Sequence, residues 1–201
     1  MSHRDGPLQP FLTSLVDAIR SDAIGAEASA AIDRIEDALR NPGRAGAVVP
    51  RRLTVCGHLT EALATARSGS APAARVADAF AALEPSLAWA PRHAGGPFAG
   101  DNWPDGHANA TIVGPRGLED RNDLSIGASL LAPHVRYPDH SHGPEEVYLV
   151  LSPGRFQHGD SGWFEPGIGG TLYNASNIKH AMASGDAPLL ALWCLWIGKP
   201  A

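Results

Sequence analysis

The chain has 201 residues, of which 44% are hydrophobic, and 16 basic against 21 acidic side chains give a net charge of −5 at pH 7. This length and composition predict one globular domain, or one domain with a small appendage. The acidic balance argues against a nucleic-acid partner, because binding a phosphate backbone needs clustered positive charge and the longest basic run is the pair Arg51 and Arg52.

Membrane insertion and export are also disfavoured. The longest apolar run, Leu189 to Ile197, has nine residues, less than half of the roughly 20 that span a bilayer. The first residues, MSHRDG, lack the apolar centre of a signal peptide. Two cysteines, Cys56 and Cys194, stand in apolar surroundings, which is typical of buried thiols in a reducing compartment. We therefore predict a cytoplasmic protein with no membrane partner.

Residues 1–85 are predicted to form an N-terminal helical region, because apolar side chains recur there at helical spacing between alanines. Four helices are predicted, at residues 10–19, 24–39, 51–66 and 73–83. Their apolar stripes predict a layer that packs on a sheet or on another subunit. Such a layer could cap its own barrel or mediate a homodimer.

Residues 86–201 have a different sequence pattern, in which glycine, proline, asparagine and aspartate separate short apolar runs. Strands are predicted at residues 110–113, 124–126, 128–131, 146–151, 162–165, 170–173 and 189–197. Seven or eight short strands without alternating helices favour a sandwich or a small barrel. We therefore expect a mainly β domain behind the helical region.

One stretch of this domain, YPDHSHGPEEVY at residues 137–148, concentrates potential metal ligands. His140 and His142 are two residues apart, and Glu146 and Tyr148 keep the even spacing, so extended backbone would point all four side chains to one face. A metal site needs several donors that converge from about 2 Å, and His180 offers a donor from a distant segment. The pattern predicts a mononuclear metal site in a small β-barrel.

The spacing of His140, His142 and Glu146, followed by His180, resembles the two metal-binding motifs of the cupin superfamily over roughly the last 100 residues. Several positions depart from the family pattern: the closing glycine of the first motif falls one residue late, at Gly154, and the second motif has Ala175 for proline and Ser184 for asparagine. His134 stands where the first motif usually begins with glycine, and Asn177 replaces a glycine of the second motif, although asparagine tolerates the left-handed backbone conformation. The resemblance implies a mainly β fold, a small cupin β-barrel (double-stranded β-helix) with an N-terminal α-helical layer.

More narrowly, residues 137–148, the helical segment and the chain length resemble the bacterial cupin-type lyases that cleave dimethylsulfoniopropionate (DMSP), most closely the Q class. That resemblance covers nearly the whole chain. It implies a carbon-sulfur lyase that converts DMSP to acrylate and dimethyl sulfide by base-catalysed β-elimination. It also implies one divalent transition metal ion, with zinc, iron and manganese as the leading candidates.

The resemblance assigns roles residue by residue. The metal ligands that it implies are His142, Glu146 and His180, with Tyr148 as a fourth ligand or as the catalytic base. Tyr137 is the second candidate for the base and, with His140, would line the substrate pocket. His140 could equally be a ligand, since most cupins use both histidines of this motif.

The expected chemistry assigns further roles. Removal of the proton next to the substrate carboxylate needs a Lewis acid and a base stronger than a carboxylate, and a phenolate suits the second role. The sulfonium would be bound by aromatic faces, for which the strands offer Trp163, Phe164, Trp193 and Trp196; we select Trp193 and Trp196.

Two rival functions remain at this stage. A different cupin metalloenzyme, such as an iron dioxygenase, would use the same ligands, and a non-catalytic cupin would bind a small ligand without turnover. The other histidines are interpreted as surface residues without a functional role: His3, His58, His93, His107, His134 and His158.

Overall fold

The computed structural model describes residue 4 and residues 6–92 and 96–198. The α-helices are α1 (Leu8–Ser21), α2 (Ala26–Leu39), α3 (Leu59–Arg67), α4 (Ala71–Leu83) and the short α5 (Trp103–Gly106). Two 3-10 helices lie at Thr54–His58 and Glu84–Ser86. The strands are β1 (Arg44–Ala45), β2 (His107–Val113), β3 (Glu119–Asp120), β4 (Leu124–Leu131), β5 (Arg136–His140), β6 (Glu145–Val150), β7 (Arg155–His158), β8 (Thr171–Asn174), β9 (His180–Ala183) and β10 (Leu189–Trp196).

The strands form two sheets. The larger has seven strands in the order β1-β3-β2-β4-β10-β6-β8, and the smaller has three in the order β5-β9-β7. Pairing is antiparallel except between β2 and β3. Tyr137, Phe156 and Met182 of the small sheet share one apolar cluster with Tyr148 and Val150 of the large sheet. The two sheets therefore face each other and enclose the interior of a barrel.

The large sheet is buried on both faces. Along β10, Leu190, Leu192 and Cys194 pack with the helices, whereas Leu189 and Ala191 belong to the barrel interior. This alternation follows from the two-residue period of a strand. Because the helices cover one face of the sheet and the barrel interior covers the other, every residue of β4 is buried. This explains why β4 is a nearly continuous apolar run although the sheet is antiparallel.

The helices are held to the sheet by apolar packing and by a polar tie. Buried residues of α1 to α4 form one cluster with the outward face of the large sheet. Ser70 caps the N-terminus of α4, since its Oγ accepts a hydrogen bond from the backbone N–H of Ala73. Behind α1, the carboxylate of Asp22 accepts hydrogen bonds from both the backbone N–H and the hydroxyl of Thr171 on β8.

This architecture confirms the predicted fold class, a mainly β cupin barrel with an N-terminal helical layer. The division between residues 85 and 86 stays a prediction about domain organisation, because described residues on both sides share one core. Among the described residues, no helix combines the length and the apolar character that crossing a membrane requires.

Several predicted elements need correction. The third helix begins with the 3-10 turn at Thr54, because Arg51 is in a bridge with Ala88. The strands predicted at 124–126 and 128–131 are one strand, because Gly127 continues the pairing. Residues 162–165 contribute an isolated bridge between Phe164 and Phe156 instead of a strand. All three strands of the small sheet were missed, since each is short and β5 and β7 are largely polar.

A buried ionic network ties the N-terminus to the edge of the large sheet. Glu119 accepts hydrogen bonds from the guanidinium groups of Arg4 and Arg121 and from the backbone N–H of Gly43, and Arg121 also pairs with Asp123. Burial raises the pKa of Glu119, but these donors outweigh burial and hold it below its ordinary value of 4.5. The network therefore stabilises the fold only while Glu119 is ionised.

We expect Glu119→Gln to lower the free energy of unfolding by about 3 kcal/mol at pH 7, because buried Arg4 loses its charged partner and Arg121 keeps only Asp123. A depressed pKa contributes stability that is present above the unfolded value and is lost as the pH falls through the folded value. The difference in unfolding free energy between the wild type and Glu119→Gln should therefore narrow below pH 4.5. Urea unfolding of both proteins from pH 7 to pH 3 measures it. A difference that stays constant over this range contradicts the assignment.

Candidate metal and substrate site

A cavity of about 230 Å³ opens inside the barrel between the two sheets. Its walls combine hydrogen-bonding, titratable and apolar side chains. The lining residues are Arg92, Asn109, Ser129, Tyr137, His140, Ser141, His142, Glu146, Tyr148, Met182, Trp193 and Leu195. The cavity therefore gathers residues from the predicted motif and from strands that are distant in sequence.

Three histidines meet in this cavity. His140 ends β5 and is the register partner of His180, the first residue of β9, while His142 lies in the connection to β6. Each offers one ring nitrogen, and these three atoms lie within 4.8 Å of one another. Antiparallel pairing of β5 with β9 therefore creates the cluster from two segments forty residues apart.

Backbone carbonyls fix the tautomer of each imidazole. The Nδ1–H of each histidine donates to a carbonyl oxygen two residues away, at 2.8–2.9 Å. The acceptors are those of Pro138 for His140, Pro144 for His142 and Ile178 for His180. Because Nδ1 carries the proton in this arrangement, the Nε2 lone pair is free to bind a metal. The Nε2 atom of His180 is buried and has no hydrogen-bond partner among the described residues, as expected of a metal ligand.

Glu146 adds a carboxylate to the three imidazoles. Its Oε2 lies 3.5 Å from Nε2 of His142 and 3.4 Å from Nε2 of His180. Burial raises the pKa of Glu146, but its contacts with His142 and His180 outweigh burial, so the pKa is lowered and the carboxylate is ionised. Three imidazoles and one carboxylate suit a divalent transition metal ion. The residues present thus fit the metal that the cupin motifs imply.

A second layer of polar residues orients Glu146. The amide Nδ2 of Asn174, on the neighbouring strand β8, donates to Oε2 of Glu146 at 3.0 Å. The amide oxygen of Asn174 faces Nδ1 of His158 at 3.2 Å. A carboxylate only accepts hydrogen bonds, so Asn174 must present its amino group to Glu146 and its oxygen to His158. Asn174 is therefore a positioning residue for the carboxylate.

His140 was expected to line the substrate pocket, and the structure also places it among the candidate metal ligands. His140 does line the cavity, but its ring centroid is only 4.1 Å from that of His180, which places it within the ligand cluster. Burial, followed by the charge of His180, lowers its pKa to about 3. A neutral imidazole is the form that binds metal, so His140 joins the candidate ligands.

Two departures from the cupin motifs have a conformational explanation. His134 and Asn177 both have positive φ, 61° and 60°, the left-handed region that glycine adopts most readily. Both positions therefore adopt a backbone conformation that glycine would also supply.

Two tyrosines approach the cluster from different sheets. Tyr148, two residues beyond Glu146 on β6, is buried, and burial followed by the charge of Glu146 raises its pKa well above the ordinary value of 10. Tyr137, on β5, accepts a hydrogen bond at 3.0 Å from the amide of Asn109, whose oxygen in turn accepts one from Ser129. Both hydroxyl groups are thus available in the cavity.

Trp193 and Trp196, the two tryptophans expected to bind the sulfonium, lie on opposite faces of β10. Trp193 lines the cavity and lies against Gly127, where a Cβ would come within 2.2 Å of its ring. Trp196 has the opposite parity and packs with the helical layer, so its predicted contact with substrate is wrong. Phe164 packs at the edge of the inner cluster, and exposed Trp163 stacks with Arg136 and Arg155, so neither lines the cavity.

Sequence reasoning missed several residues of the site. Arg92, Asn109 and Ser129 line the cavity, and Asn174 and His158 support Glu146. None of these residues lies in a sequence motif. A signal existed for Ser129, because strand alternation points the odd-numbered positions of β4 towards the barrel interior. The interpretation of His107 as a surface histidine is wrong, because His107 is buried and its ring stacks on Trp103. His3 and His93 lie outside the described residues.

An antiparallel barrel of two facing sheets, with three histidines and a glutamate converging on its cavity, defines a cupin. The chain further matches the dimethylsulfoniopropionate lyase family over residues 27–191, which is most of its length. It therefore belongs to the DMSP lyase family.

Individual relatives agree with this assignment. DddL of Cereibacter sphaeroides, provisionally named as a DMSP lyase, is 30% identical over 93 residues, 46% of this chain and 39% of that protein. The match thus spans well under half of that relative. A chain from the crystal structures of the DMSP lyases RdDddP and RnDddQII has a TM-score of 0.68 at 19% identity, with 94% of this chain and 92% of that chain covered.

The DMSP lyase DddQ from Ruegeria pomeroyi has a TM-score of 0.61 at 21% identity, with 86% of this chain and 92% of that chain covered. At these identities, both structural matches establish a shared fold.

We expect Asn174→Ala to weaken Zn²⁺ binding by about 10-fold or more, because loss of a hydrogen bond to a ligand releases its orientation. Competition with a chromophoric chelator measures the affinity without any activity assay. Tyr173→Phe is the matched control, since Tyr173 lies next to Asn174 on β8 and donates to Glu145 instead. Equal affinities of Asn174→Ala and the wild type would refute the positioning role.

Proposed function

We propose that this protein is a metal-dependent carbon-sulfur lyase that cleaves DMSP to acrylate and dimethyl sulfide by β-elimination. The observation that carries the proposal is the placement of Tyr148, a buried phenol in the same cavity as the three histidines and Glu146. Membership of the DMSP lyase family supports the substrate.

The metal would be held by His142, His180 and Glu146, together with His140. Zinc, iron and manganese are the candidate ions, and Tyr148 is the alternative fourth donor. When bound, a divalent ion would polarise the substrate carboxylate and lower the pKa of a neighbouring phenol. The tautomers fixed by Pro138, Pro144 and Ile178 prepare the imidazoles for this role.

Tyr148 is our candidate for the base. As a phenolate it removes the proton from the carbon next to the carboxylate, the electron pair forms the carbon-carbon double bond of acrylate, and the carbon-sulfur bond breaks. Sulfur takes the electrons of that bond and leaves as neutral dimethyl sulfide, so no acid is needed. The burial that raises the pKa of Tyr148 also makes its phenolate a stronger base once formed.

Tyr137 is the second candidate for the base, and its contacts favour substrate binding. Its oxygen accepts a hydrogen bond from Asn109, which leaves the phenolic proton to be donated towards the cavity. Trp193 supplies an aromatic face for the sulfonium, because the negative face of an indole attracts a cation without a counter-charge.

A cytoplasmic location is part of the proposal. It rests on Cys56 and Cys194, which are both free and buried.

We expect the wild-type protein, reconstituted with Zn²⁺, Fe²⁺ or Mn²⁺, to release dimethyl sulfide from DMSP and to stop when a chelator removes the metal. Tyr148→Phe should keep most of its metal and lose at least about 100-fold in turnover, because a general base contributes that much. His180→Ala should lose both. Headspace detection of dimethyl sulfide and elemental analysis, run side by side, separate the two variants.

Two outcomes contradict this proposal. Full turnover by Tyr148→Phe would move the base to Tyr137. No release from fully metallated wild-type protein would remove DMSP as substrate, and oxygen uptake would then identify a dioxygenase.

We expect Trp193→Leu to raise the KM for DMSP about 3- to 10-fold, because a cation-π contact with the sulfonium is lost. Trp196→Leu is the matched control on the same strand, and its KM should not change because Trp196 faces the helices. Steady-state kinetics of the two variants test the contact. A similar KM for both variants excludes Trp193 as the sulfonium site.

A further inference from the structure

Arg92 is an arginine that no motif singled out. It is half-buried and is the one arginine or lysine among the residues that line the cavity in the described part of the chain. The carbon of its guanidinium lies 5.7 Å from the ring centroid of Tyr137. A permanently charged group thus stands over one candidate catalytic tyrosine, inside the space that the substrate would occupy.

The backbone of Arg92 is fixed by a buried histidine. Its N–H donates to Nε2 of His107 at 2.8 Å, and Nδ1 of His107 donates to the carbonyl of Trp103. The rings of Trp103 and His107 stack at 4.1 Å, and both meet Tyr137 edge-on. Burial lowers the pKa of His107, which keeps Nε2 unprotonated as an acceptor. The start of the Arg92 side chain is therefore anchored to the cavity wall.

The guanidinium itself forms no ion pair or side-chain hydrogen bond within residues 4, 6–92 and 96–198, whereas several other arginines of the fold pair with carboxylates. Arg136, for example, contacts two aromatic rings but also bonds to Asp139. The five N–H donors of a guanidinium match a carboxylate in fork geometry. Arg92 thus has the features of a side chain that is available to bind an anionic ligand.

We infer that Arg92 binds the carboxylate of the substrate and makes the site selective for substrates that carry an anionic group. The inference rests on the proposed function for the identity of the substrate, but carboxylate binding by Arg92 is testable without it. Arg92 lies against Tyr137 of the small sheet, whereas Trp193 belongs to the large sheet. A zwitterion would thus find its two charges recognised on different walls of the cavity.

Arg92 and the proposed base share one chamber. Arg92, Tyr137 and Tyr148 all line the same cavity, and the guanidinium lies against the ring of Tyr137. A carboxylate held by Arg92 would therefore lie in the space that contains the proposed base.

The test compares Arg92→Met with Arg155→Met. Arg155 is the matched control, because its guanidinium lies at the same 5.7 Å from an aromatic centroid but stands on an exposed surface. Radiolabelled propionate serves as the probe in equilibrium dialysis with metal-free protein. We expect Arg92→Met to bind propionate about 10- to 100-fold more weakly than the wild type, since a charge-assisted hydrogen bond is lost, and Arg155→Met to match the wild type.

Kinetics of the metallated protein provide the second readout. Arg92→Met should raise the KM for DMSP by a similar factor, keep its metal and change kcat little, whereas the KM for the methyl ester of DMSP should be the same in both proteins. Arg92→Lys should recover part of the loss, because it restores charge without the fork.

The outcomes separate the inference from the proposed function. Equal propionate binding by the wild type and Arg92→Met overturns the inference, whether or not the wild type cleaves DMSP. Weaker propionate binding by Arg92→Met in a protein that releases no dimethyl sulfide supports the inference and removes the proposed substrate.

Discussion

The burial of the large sheet on both faces is the constraint on which the rest of the structure depends. One face supplies a core for the helices, and the other supplies the wall of the barrel. Because alternate residues of a strand face opposite sides, β6 and β10 can build a continuous apolar support outwards while presenting Glu146, Tyr148 and Trp193 inwards. The helical layer thereby gives a polar cavity the rigid backing that the positioning of charged groups requires.

The sequence predicts the helical layer and the large sheet better than it predicts the small sheet. Helical periodicity finds α1, α2 and α4, and apolar runs find β2, β4, β6, β8 and β10 of the large sheet, but not the two-residue strands β1 and β3. The small sheet was missed because β5, β7 and β9 have only four or five residues and carry histidine, aspartate, proline and glutamine. Its candidate ligands His140 and His180 were nevertheless singled out, because the spacing of a metal motif is set by the geometry of coordination and survives where strand propensity is weak.

The remaining site residues could not be read from local patterns. Asn174 acts through a register partner on β6, and Arg92 belongs to a loop whose position depends on His107 and Trp103. Their roles follow from contacts between distant segments, which one sequence does not encode visibly. Trp196 shows the opposite error, since its residue type suggested a role that strand alternation rules out.

Gly127 makes room for an aromatic wall of the cavity. A methyl group there would meet the indole of Trp193 at 2.2 Å and the carbonyl oxygen of Ala110 at 2.4 Å, so the strand has no room for any side chain at this position. The indole consequently lies directly against the backbone of β4. Any larger residue at position 127 would displace this indole, so the shape of the chamber depends on a residue that carries no functional group.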